Sequence, residues 1–316
     1  MSPYPKLRDV AGLIRLVSLL KKRKPDILIT SMINQNIRAR FAGLLAGVPI
    51  MIASYRSIYR WSVFQKMLER LLLPRTQRLV AVSKTIKQEI MRQVGIEERK
   101  ISVIYNGVDL DAFAREDVDV KEVKRELGVG PEEYVVGICG RLSDEKRQED
   151  FLVAARFVLR KCPHTKFIII GHMGSRRISE KRYLYVKRLG IEKQVIFLGE
   201  RPDVDRLMQA LDVHVLCSTK EGCPNVLIEA MAAGVPQVVT NIAPIAELMH
   251  DGREGFLTPV KRPKQLASAI VRLLTDPQKA TFCRTNARKT ASGFSLPIMI
   301  HRYEHLFEEL WNECQQ

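Results

Sequence analysis

Two glutamates flank the start of a predicted helix in the second half of the chain. Glu221 precedes this helix and Glu229 lies about one turn inside it, so both carboxylates can face one ligand. Gly222 and Pro224 let the backbone turn sharply before the helix starts near Asn225. The free N–H groups and the positive dipole end of such a helix favour a phosphate group. Carboxylates beside them suit sugar or ribose hydroxyls, so the stretch predicts a site for a phosphorylated, hydroxyl-rich ligand.

A second group of charged residues follows the strand predicted at Tyr134–Cys139. Arg141 and Lys146 lie in the loop that leaves this strand, and the glutamate stretch follows the strand predicted at Val213–Cys217. Open parallel sheets bind ligands at the carboxyl ends of their strands. A planar guanidinium and a compact ammonium together suit a diphosphate. Each feature alone is common on protein surfaces, but their places at two strand ends predict one shared site.

Short apolar runs alternate with longer amphipathic runs along the chain of 316 residues. This alternation is typical of a parallel α/β fold, and the length favours two domains. We predict a first Rossmann-like domain over residues 1–115 and a complete second one over 116–296, with a final helix over 297–313 that packs back on the first. The first domain opens on a helix at Leu7–Lys24, so it is either minimal or incomplete at its start. The other predicted strands are Ile27–Thr30, Ile50–Ala53, Leu79–Val82, Ile101–Tyr105, Lys166–Ile170, Gln194–Leu198 and Gln237–Thr240.

Positive charge is concentrated in the first part of the chain. The net charge is +16, and the first 114 residues hold 20 Lys and Arg against 8 Asp and Glu. This asymmetry predicts an anionic partner, either an anionic membrane surface or an acidic glycan, and no motif for nucleic acid accompanies it. The segment Tyr55–Arg78, predicted as one helix, is the predicted membrane contact, and the alternative is an ordinary helix that buries one face in its own domain. It interleaves Tyr59, Trp61, Phe64, Met67, Leu68 and Leu71 with Arg56, Arg60, Lys66, Arg70, Arg75 and Arg78.

Cysteine usage and the start of the chain indicate a compartment. The six cysteines form no Cys-x-x-Cys pair, which disfavours a disulfide framework or a zinc site. Arg8, Asp9 and Arg15 interrupt the apolar stretch at the start, so it resembles neither a secretory signal nor a membrane span. The sequence therefore predicts a cytoplasmic protein that is soluble or peripheral on the inner face of the membrane.

Taken together, these motifs resemble one known family. The run Glu221–Pro236 is similar to the signature of the retaining glycosyltransferases of family 4 (glycosyltransferases group 1), which have the GT-B fold of two Rossmann-like domains. Gly140-Arg141-Leu142 with Lys146 resembles the phosphate-contacting loop of that family. Other stretches resemble its interdomain motif (Asn106-Gly107-Val108-Asp109), the strand and loop beside its nucleobase (Val195–Gly199), and a later turn (Asp251-Gly252 with Gly255-Phe256-Leu257).

The resemblance implies roles for single residues and a donor without a cofactor. Arg141 and Lys146 would bind the donor diphosphate, Glu221 would contact the transferred sugar, and Glu229 would hold the ribose. The donor would be a nucleoside-diphosphate sugar, by default with uridine diphosphate, bound without metal, and the acceptor a glycan or a lipid-linked sugar. The implied catalytic residues are Glu221, Arg141 and Lys146, and the implied donor-binding residues are Gly140, Arg141, Lys146, Gly199, Glu221, Gly222, Pro224, Asn225, Val226, Leu227 and Glu229.

Two departures from the family pattern concern the first domain. Family members usually begin with a strand and a glycine-rich loop, whereas this chain opens on a predicted helix. Many carry a histidine near the reacting sugar, but the first histidine here is His164, and the corresponding region reads Ala53-Ser54-Tyr55-Arg56-Ser57. A retaining transfer can use the departing phosphate as its own base, so we predict an active enzyme with a truncated first domain. The alternative is a truncated, inactive protein that still binds the donor.

Overall fold

The computed structural model of the chain describes residues 10–58, 60–174 and 176–315. It divides into two compact units, the first made of Met1–Asn106 with Pro297–Gln316 and the second of Gly107–Leu296. The sequence placed the boundary near residue 115, whereas the stretch 107–115 lies in the second unit. The predicted Tyr59 and the residues before Val10 lie outside the described residues.

The first unit contains a sheet of four parallel strands in the order β1-β2-β3-β4. Because parallel crossovers are right-handed and the strands follow one another in order, the connecting helices lie on one face of the sheet. Helix α1 packs beside α2 on this face, and α2 contacts α3, which contacts α4. The elements are α1 Val10–Arg23, β1 Ile27–Ser31, α2 Ile33–Ala46, β2 Ile50–Tyr55, α3 Val63–Leu72, β3 Arg78–Ala81, α4 Lys84–Val94 and β4 Ile101–Val103.

Local sequence signals explain where these helices begin and end. Gly47 adopts a left-handed conformation and ends α2, as glycine does most readily. Ser83 caps α4 by accepting a hydrogen bond from the Ile86 N–H at 3.2 Å. Ser62 and Gln65 form a capping box at the start of α3.

The basic aromatic segment Tyr55–Arg78 is not one helix, so this part of the sequence prediction is wrong. Tyr55 ends β2 and Arg78 begins β3, and the helix between them, α3, has only 10 residues. Its start is fixed by the Ser62 cap, and Pro74 follows its end in a short 3-10 turn. A shorter helix leaves fewer basic and aromatic side chains on one regular surface.

The second unit contains a sheet of six parallel strands in the order β10-β9-β8-β5-β6-β7. The predicted turn at Gly255-Phe256-Leu257 is instead part of a sixth strand, β10, which pairs with β9. Gly255 is required there because a Cβ atom would lie 1.8 Å from the Gln237 carbonyl oxygen. The elements are α5 Leu110–Phe113, α6 Val120–Glu126, β5 Tyr134–Cys139, α7 Gln148–Val158, β6 Thr165–Ile170, α8 Arg176–Leu189, β7 Val195–Gly199, α9 Val204–Gln209, β8 Val213–Leu216, α10 Asn225–Ala232, β9 Gln237–Thr240, α11 Ala243–Ala246, β10 Gly255–Thr258, α12 Pro263–Thr275 and α13 Pro277–Ala291.

Helices cover both faces of this six-stranded sheet. Residues such as Phe167 and Val215 pack against α7 and α12 on one face, while Ile168 and Val135 pack against α6 and α9 on the other. The strand order reverses between β5 and β8, because β6 and β7 extend the sheet one way and β9 and β10 the other. Both faces are buried, as the continuous apolar strands predicted.

The last helix, α14 (Leu296–Gln315), packs on the first sheet. Leu306 and Leu310 are buried against Ile50, Ile52 and Val80. These strand residues point away from the layer of α1 and α2, which packs on Met51 and Leu28. The first sheet is therefore covered on both faces, by α1–α4 and by α14.

Within the described residues, none of these helices combines the length and the apolar content that a bilayer span requires.

Candidate functional site

The two charged loops predicted from the sequence leave neighbouring strands of the second unit. Residues 140–147 follow β5 and residues 217–224 follow β8, which pairs directly with β5. The strand order reverses between these two strands. At such a point the loops diverge to opposite faces of the sheet and leave a crevice, where open α/β sheets bind ligands.

Hydrogen bonds join the two loops across this crevice. The Thr219 N–H donates to the Glu145 carbonyl oxygen at 2.9 Å. Lys146 Nζ donates to Glu221 Oε1 at 2.6 Å, which makes an ion pair between two residues predicted for the site. Lys220 Nζ lies 3.8 Å from Glu145 Oε1 at the more exposed rim. The structure therefore brings Lys146 and Glu221 together.

Arg141 is exposed, and its guanidinium forms no hydrogen bond or ion pair with any residue in the described ranges. The backbone of Arg141 is held in place by Gln148, whose Nε2 donates to the Arg141 carbonyl oxygen at 3.0 Å. Gln148 Oε1 also accepts from the Ser143 N–H at 3.4 Å, and its side chain is buried. Gln148 thus shapes the loop while the Arg141 cation stays available to a ligand.

Glycines line the carboxyl edge of β5, β6 and β7. The Gly140 N–H donates to Ile170 at 2.8 Å, and the Gly171 N–H donates to Gly199 at 2.7 Å. Gly171 has a φ of 129°, and a Cβ atom there would lie 2.5 Å from the Gly140 oxygen. The backbone can approach this closely only because Gly171 lacks a side chain. Gly140 and Gly199, both predicted, therefore belong to one continuous edge of backbone.

Helix α10 begins directly after the second loop. Pro224 precedes its first residue, Asn225, and no side chain caps the helix by a hydrogen bond. Val226 and Leu227 belong to the first turn, where the Leu227 N–H donates to the Pro224 carbonyl oxygen at 3.1 Å. The positive dipole end of α10 follows the loop at the crevice and favours an anion there.

Glu229 lies one turn inside α10 and is half-buried. Across the described residues, no hydrogen bond or ion pair reaches its carboxylate, and burial raises its pKa above the ordinary value. A half-buried carboxylate without a partner costs stability. A ligand that donates hydroxyl hydrogen bonds to Glu229 would offset that cost.

Two titratable groups on the strands that precede the loops, Cys139 in β5 and His214 in β8, have shifted pKa values. Burial raises the pKa of the Cys139 thiol to about 12, with Glu229 adding to this shift and Lys146 opposing it. Burial lowers the pKa of His214 to about 4, against its hydrogen bond to Gln237. Both groups are therefore uncharged at neutral pH.

Sequence reasoning missed three residues that shape the site. Gly171 and His172 follow β6, and the Leu142 N–H donates to the His172 oxygen at 3.0 Å, so this third loop supports the first. Gln148 was also missed. The signal for Gly171 was present in the sequence, since it follows the predicted strand Lys166–Ile170, but a single glycine there is a weak indication.

In the first unit, the region around Tyr55 is built on a buried ion pair. Arg40 and Glu69 are both fully buried and form a salt bridge, and Arg40 also donates to Tyr55 at 3.3 Å and Thr76 at 3.1 Å. This network joins α2, α3 and β2. Arg56, just after β2, donates to Asn106 at 2.9 Å.

Residues that could hold a metal ion do not cluster in the described ranges, since no three His, Cys, Asp or Glu side chains converge there. The metal-independent donor site therefore stays a prediction.

Comparison with known proteins identifies the family. Residues 119–290 match the model of the "Glycosyl transferases group 1" family, and residues 1–112 match "Glycosyltransferase Family 4". The chain is 30% identical to the UDP-Gal:alpha-D-GlcNAc-diphosphoundecaprenol alpha-1,3-galactosyltransferase of Escherichia coli, over 96% of this chain and 80% of that protein. It is 23% identical to the capsular polysaccharide biosynthesis glycosyltransferase CapM of Staphylococcus aureus, over 97% of this chain and 83% of that one.

A solved structure with a similar fold is that of Anabaena HepE in complex with UDP and glucose. The TM-score is 0.85 at 25% identity, and the match covers 96% of this chain and 84% of that one. Its complexes with UDP and with UDP-glucose match to the same degree, with TM-scores of 0.86 and 0.85. The two parallel sheets and these neighbours confirm the predicted GT-B architecture. The chain therefore belongs to the group 1, family 4 glycosyltransferases.

Proposed function

We propose that the chain transfers a sugar from a nucleoside-diphosphate sugar to a lipid-linked or glycan acceptor in the synthesis of a cell-surface polysaccharide or glycolipid. The observation that carries the proposal is the meeting of Lys146 and Glu221 at the reversal point of the second sheet, at 2.6 Å. One cation for phosphate and one carboxylate for hydroxyls lie side by side there.

The donor fits this crevice group by group. Arg141 and Lys146 hold the diphosphate, together with the first turn of α10 at Asn225, Val226 and Leu227. Glu229 accepts hydrogen bonds from the ribose, and Glu221 accepts them from the sugar. The backbone of Gly222 and Pro224 contacts the sugar phosphate, and Gly140 and Gly199 line the edge where diphosphate and base lie. Uridine diphosphate is the favoured nucleotide, because HepE is solved with UDP and the Escherichia coli relative uses UDP-Gal.

The transfer proceeds with retention and without metal. Arg141 and Lys146 supply the positive charge that the leaving diphosphate needs, which is the work a bound metal does in other transferases. The departing phosphate takes the proton of the acceptor hydroxyl, since no histidine precedes His164 in the chain. Arg141, Lys146 and Glu221 are the catalytic residues in this scheme.

A lipid-linked acceptor brings the enzyme to a membrane. The named substrate of the Escherichia coli relative is a GlcNAc-diphosphoundecaprenol, a sugar on a lipid diphosphate. We place this chain in the cytoplasm, as a peripheral protein on the inner face of the membrane, where a donor from the cytoplasm meets such an acceptor.

Isothermal titration in EDTA tests donor binding. UDP, GDP and ADP are titrated in turn, and we expect one of them, UDP, to bind without added magnesium. Arg141→Ala should weaken that binding, because it removes a charge-assisted contact. A strict need for magnesium, or equal weak binding of all three nucleotides, would contradict the proposed donor site.

A turnover assay then separates an active enzyme from an inactive donor-binding protein. The radiolabelled UDP-sugar is incubated with and without a GlcNAc-diphospho-lipid acceptor. The enzyme should release UDP faster with acceptor and label the lipid. Tight UDP binding with neither transfer nor hydrolysis across a panel of sugars and acceptors would favour the inactive alternative.

A further inference from the structure

An unpartnered apolar stripe runs along α3 in the first unit. Val63, Phe64, Met67 and Leu71 are exposed by 85%, 55%, 56% and 64%. Their spacing of one, four and eight positions places them on one side of the helix. Large apolar side chains side by side on a surface indicate a binding surface rather than chance exposure.

The opposite side of α3 is fixed against the unit, so the stripe cannot turn inward. Glu69 and Leu72 are buried, and Glu69 forms the salt bridge with Arg40 beneath the helix. Arg70 Nε donates to the Val94 oxygen at 2.8 Å and joins α3 to α4. The cost of leaving Arg40 buried without its partner holds the helix in this rotation.

The charged side chains on the exposed side of α3 and in the stretches next to it in the sequence are basic, and the nearby carboxylate of Glu89 in α4 interacts with Lys66. Glu69 is the one acidic residue of the helix, and it is buried and paired. Arg60 and Arg75 are exposed on the two flanks, and neither forms an ion pair with a residue in the described ranges. An apolar stripe with basic flanks is the composition of helices that lie in the interface of an anionic bilayer.

Helix α1 repeats this composition in the same layer. Val10, Ile14 and Leu19 are exposed large apolar residues, and Lys21, Lys22 and Arg23 form its last turn. The helix has no acidic residue. Because α1, α2 and α3 lie side by side on one face of the sheet, two similar surfaces flank α2.

We propose that this layer docks on an anionic phospholipid bilayer, with the α3 stripe as the main contact and α1 as the second. A second copy of the chain fits the surface poorly, because a symmetric contact would bring like charges together across the interface. An anionic bilayer offers an apolar interior to the exposed apolar residues of the two helices and negative headgroups to their basic residues. The inference does not depend on the transfer reaction, since it concerns attachment alone.

Liposome flotation of the full chain tests the docking. The wild type should float with phosphatidylglycerol vesicles at low salt and much less with phosphatidylcholine vesicles. Raising the salt from about 0.05 M to about 0.5 M should release it, because the Debye length falls from more than 10 Å to a few ångströms. Met67→Glu with Leu71→Glu should lower the partition coefficient by roughly tenfold or more.

The matched control places the same charges at two other exposed apolar side chains. Leu184→Glu with Phe282→Glu, both in the second unit, should float like the wild type. Circular dichroism and the Tm confirm that each variant folds, and UDP titration reports donor binding separately. Equal loss of flotation in both double variants, equal binding to neutral vesicles, or a wild type that stays in solution at low salt would overturn the proposal. So would a dimer in gel filtration that Met67→Glu with Leu71→Glu dissociates while flotation is unchanged.

Discussion

From the ion pair between Lys146 and Glu221 we predict how a substitution of Glu221 changes the affinity for UDP. Glu221 pairs with the Lys146 ammonium group that the diphosphate needs, at 2.6 Å. UDP must displace the carboxylate from Lys146 and then sit beside its negative charge. Glu221→Gln removes both costs, so we expect UDP to bind more tightly to this variant although the variant loses a sugar contact.

The size of the gain follows from geometry and exposure. Two unit charges 2.6 Å apart attract by about 6 kcal/mol at an effective dielectric constant of 20, before desolvation and lost side-chain freedom are subtracted. After these costs, a solvent-exposed ion pair contributes only about 0–1 kcal/mol. The Lys146 and Glu221 side chains are only 24% and 11% exposed, which favours about 1–2 kcal/mol. UDP affinity should therefore rise by about 5–30-fold.

Isothermal titration of UDP with a double-mutant cycle measures this directly. Lys146→Met alone should weaken UDP binding, and adding Glu221→Gln to it should give a clearly smaller gain than in the wild type. Glu145→Gln is the matched control, because that carboxylate lies next to Lys146 in residues 140–147 but is 62% exposed and lies 3.8 Å from Lys220. Unchanged or weaker UDP binding by Glu221→Gln, or an equal gain from Glu145→Gln, would refute the reasoning.

Three further predictions concern single residues. Arg141→Ala should weaken UDP binding by about 1.5–3 kcal/mol, which isothermal titration measures. Its Tm, measured by calorimetry, should change little, because the exposed side chain forms no hydrogen bond or ion pair with the described residues. Burial raises the pKa of Glu229 above its ordinary 4.5, so the folded state holds this proton more tightly than the unfolded chain, and stability falls as the pH rises above that value. Glu229→Gln should therefore raise the Tm at pH 7 by about 2–4 °C, flatten its pH dependence and weaken UDP binding, and an unchanged Tm profile would contradict this. Arg40→Met should cost about 3–5 kcal/mol in urea unfolding, because it leaves Glu69 buried without a partner, and Arg40→Met with Glu69→Leu should recover part of that loss.

The sequence predicted most strands of the second sheet and the loops that follow them, because the signals there are local. Tyr134–Cys139 is an apolar run between turn residues, and the strand has those bounds. The site loops follow strand ends in the sequence, and a parallel sheet gathers all such ends at one edge. Position along the chain was therefore enough to predict that Lys146 and Glu221 lie together, while the roles of Arg141, Lys146 and Glu221 stay predictions.

Features that depend on partners distant in sequence were missed. Strand β10 contains Gly255 and only three further residues, so its pairing with β9 rather than its own pattern makes it a strand. The basic segment was predicted as one long helix because its amphipathic pattern does not show that β2 extends to Tyr55 and that β3 begins at Arg78. The Arg40–Glu69 pair joins residues of two helices, and no spacing rule predicts it.

Transfer of sugar to a lipid-linked acceptor tests the central claim most directly. The purified chain is incubated in EDTA with a UDP-sugar and a GlcNAc-diphospho-lipid, and the product is examined by proton NMR. We predict a new glycosidic linkage with the α configuration of the donor, formed without metal and lost in Glu221→Gln. No transfer to any lipid-linked or glycan acceptor, in spite of measured UDP binding, would contradict the account, and a β-linked product would contradict the retaining mechanism.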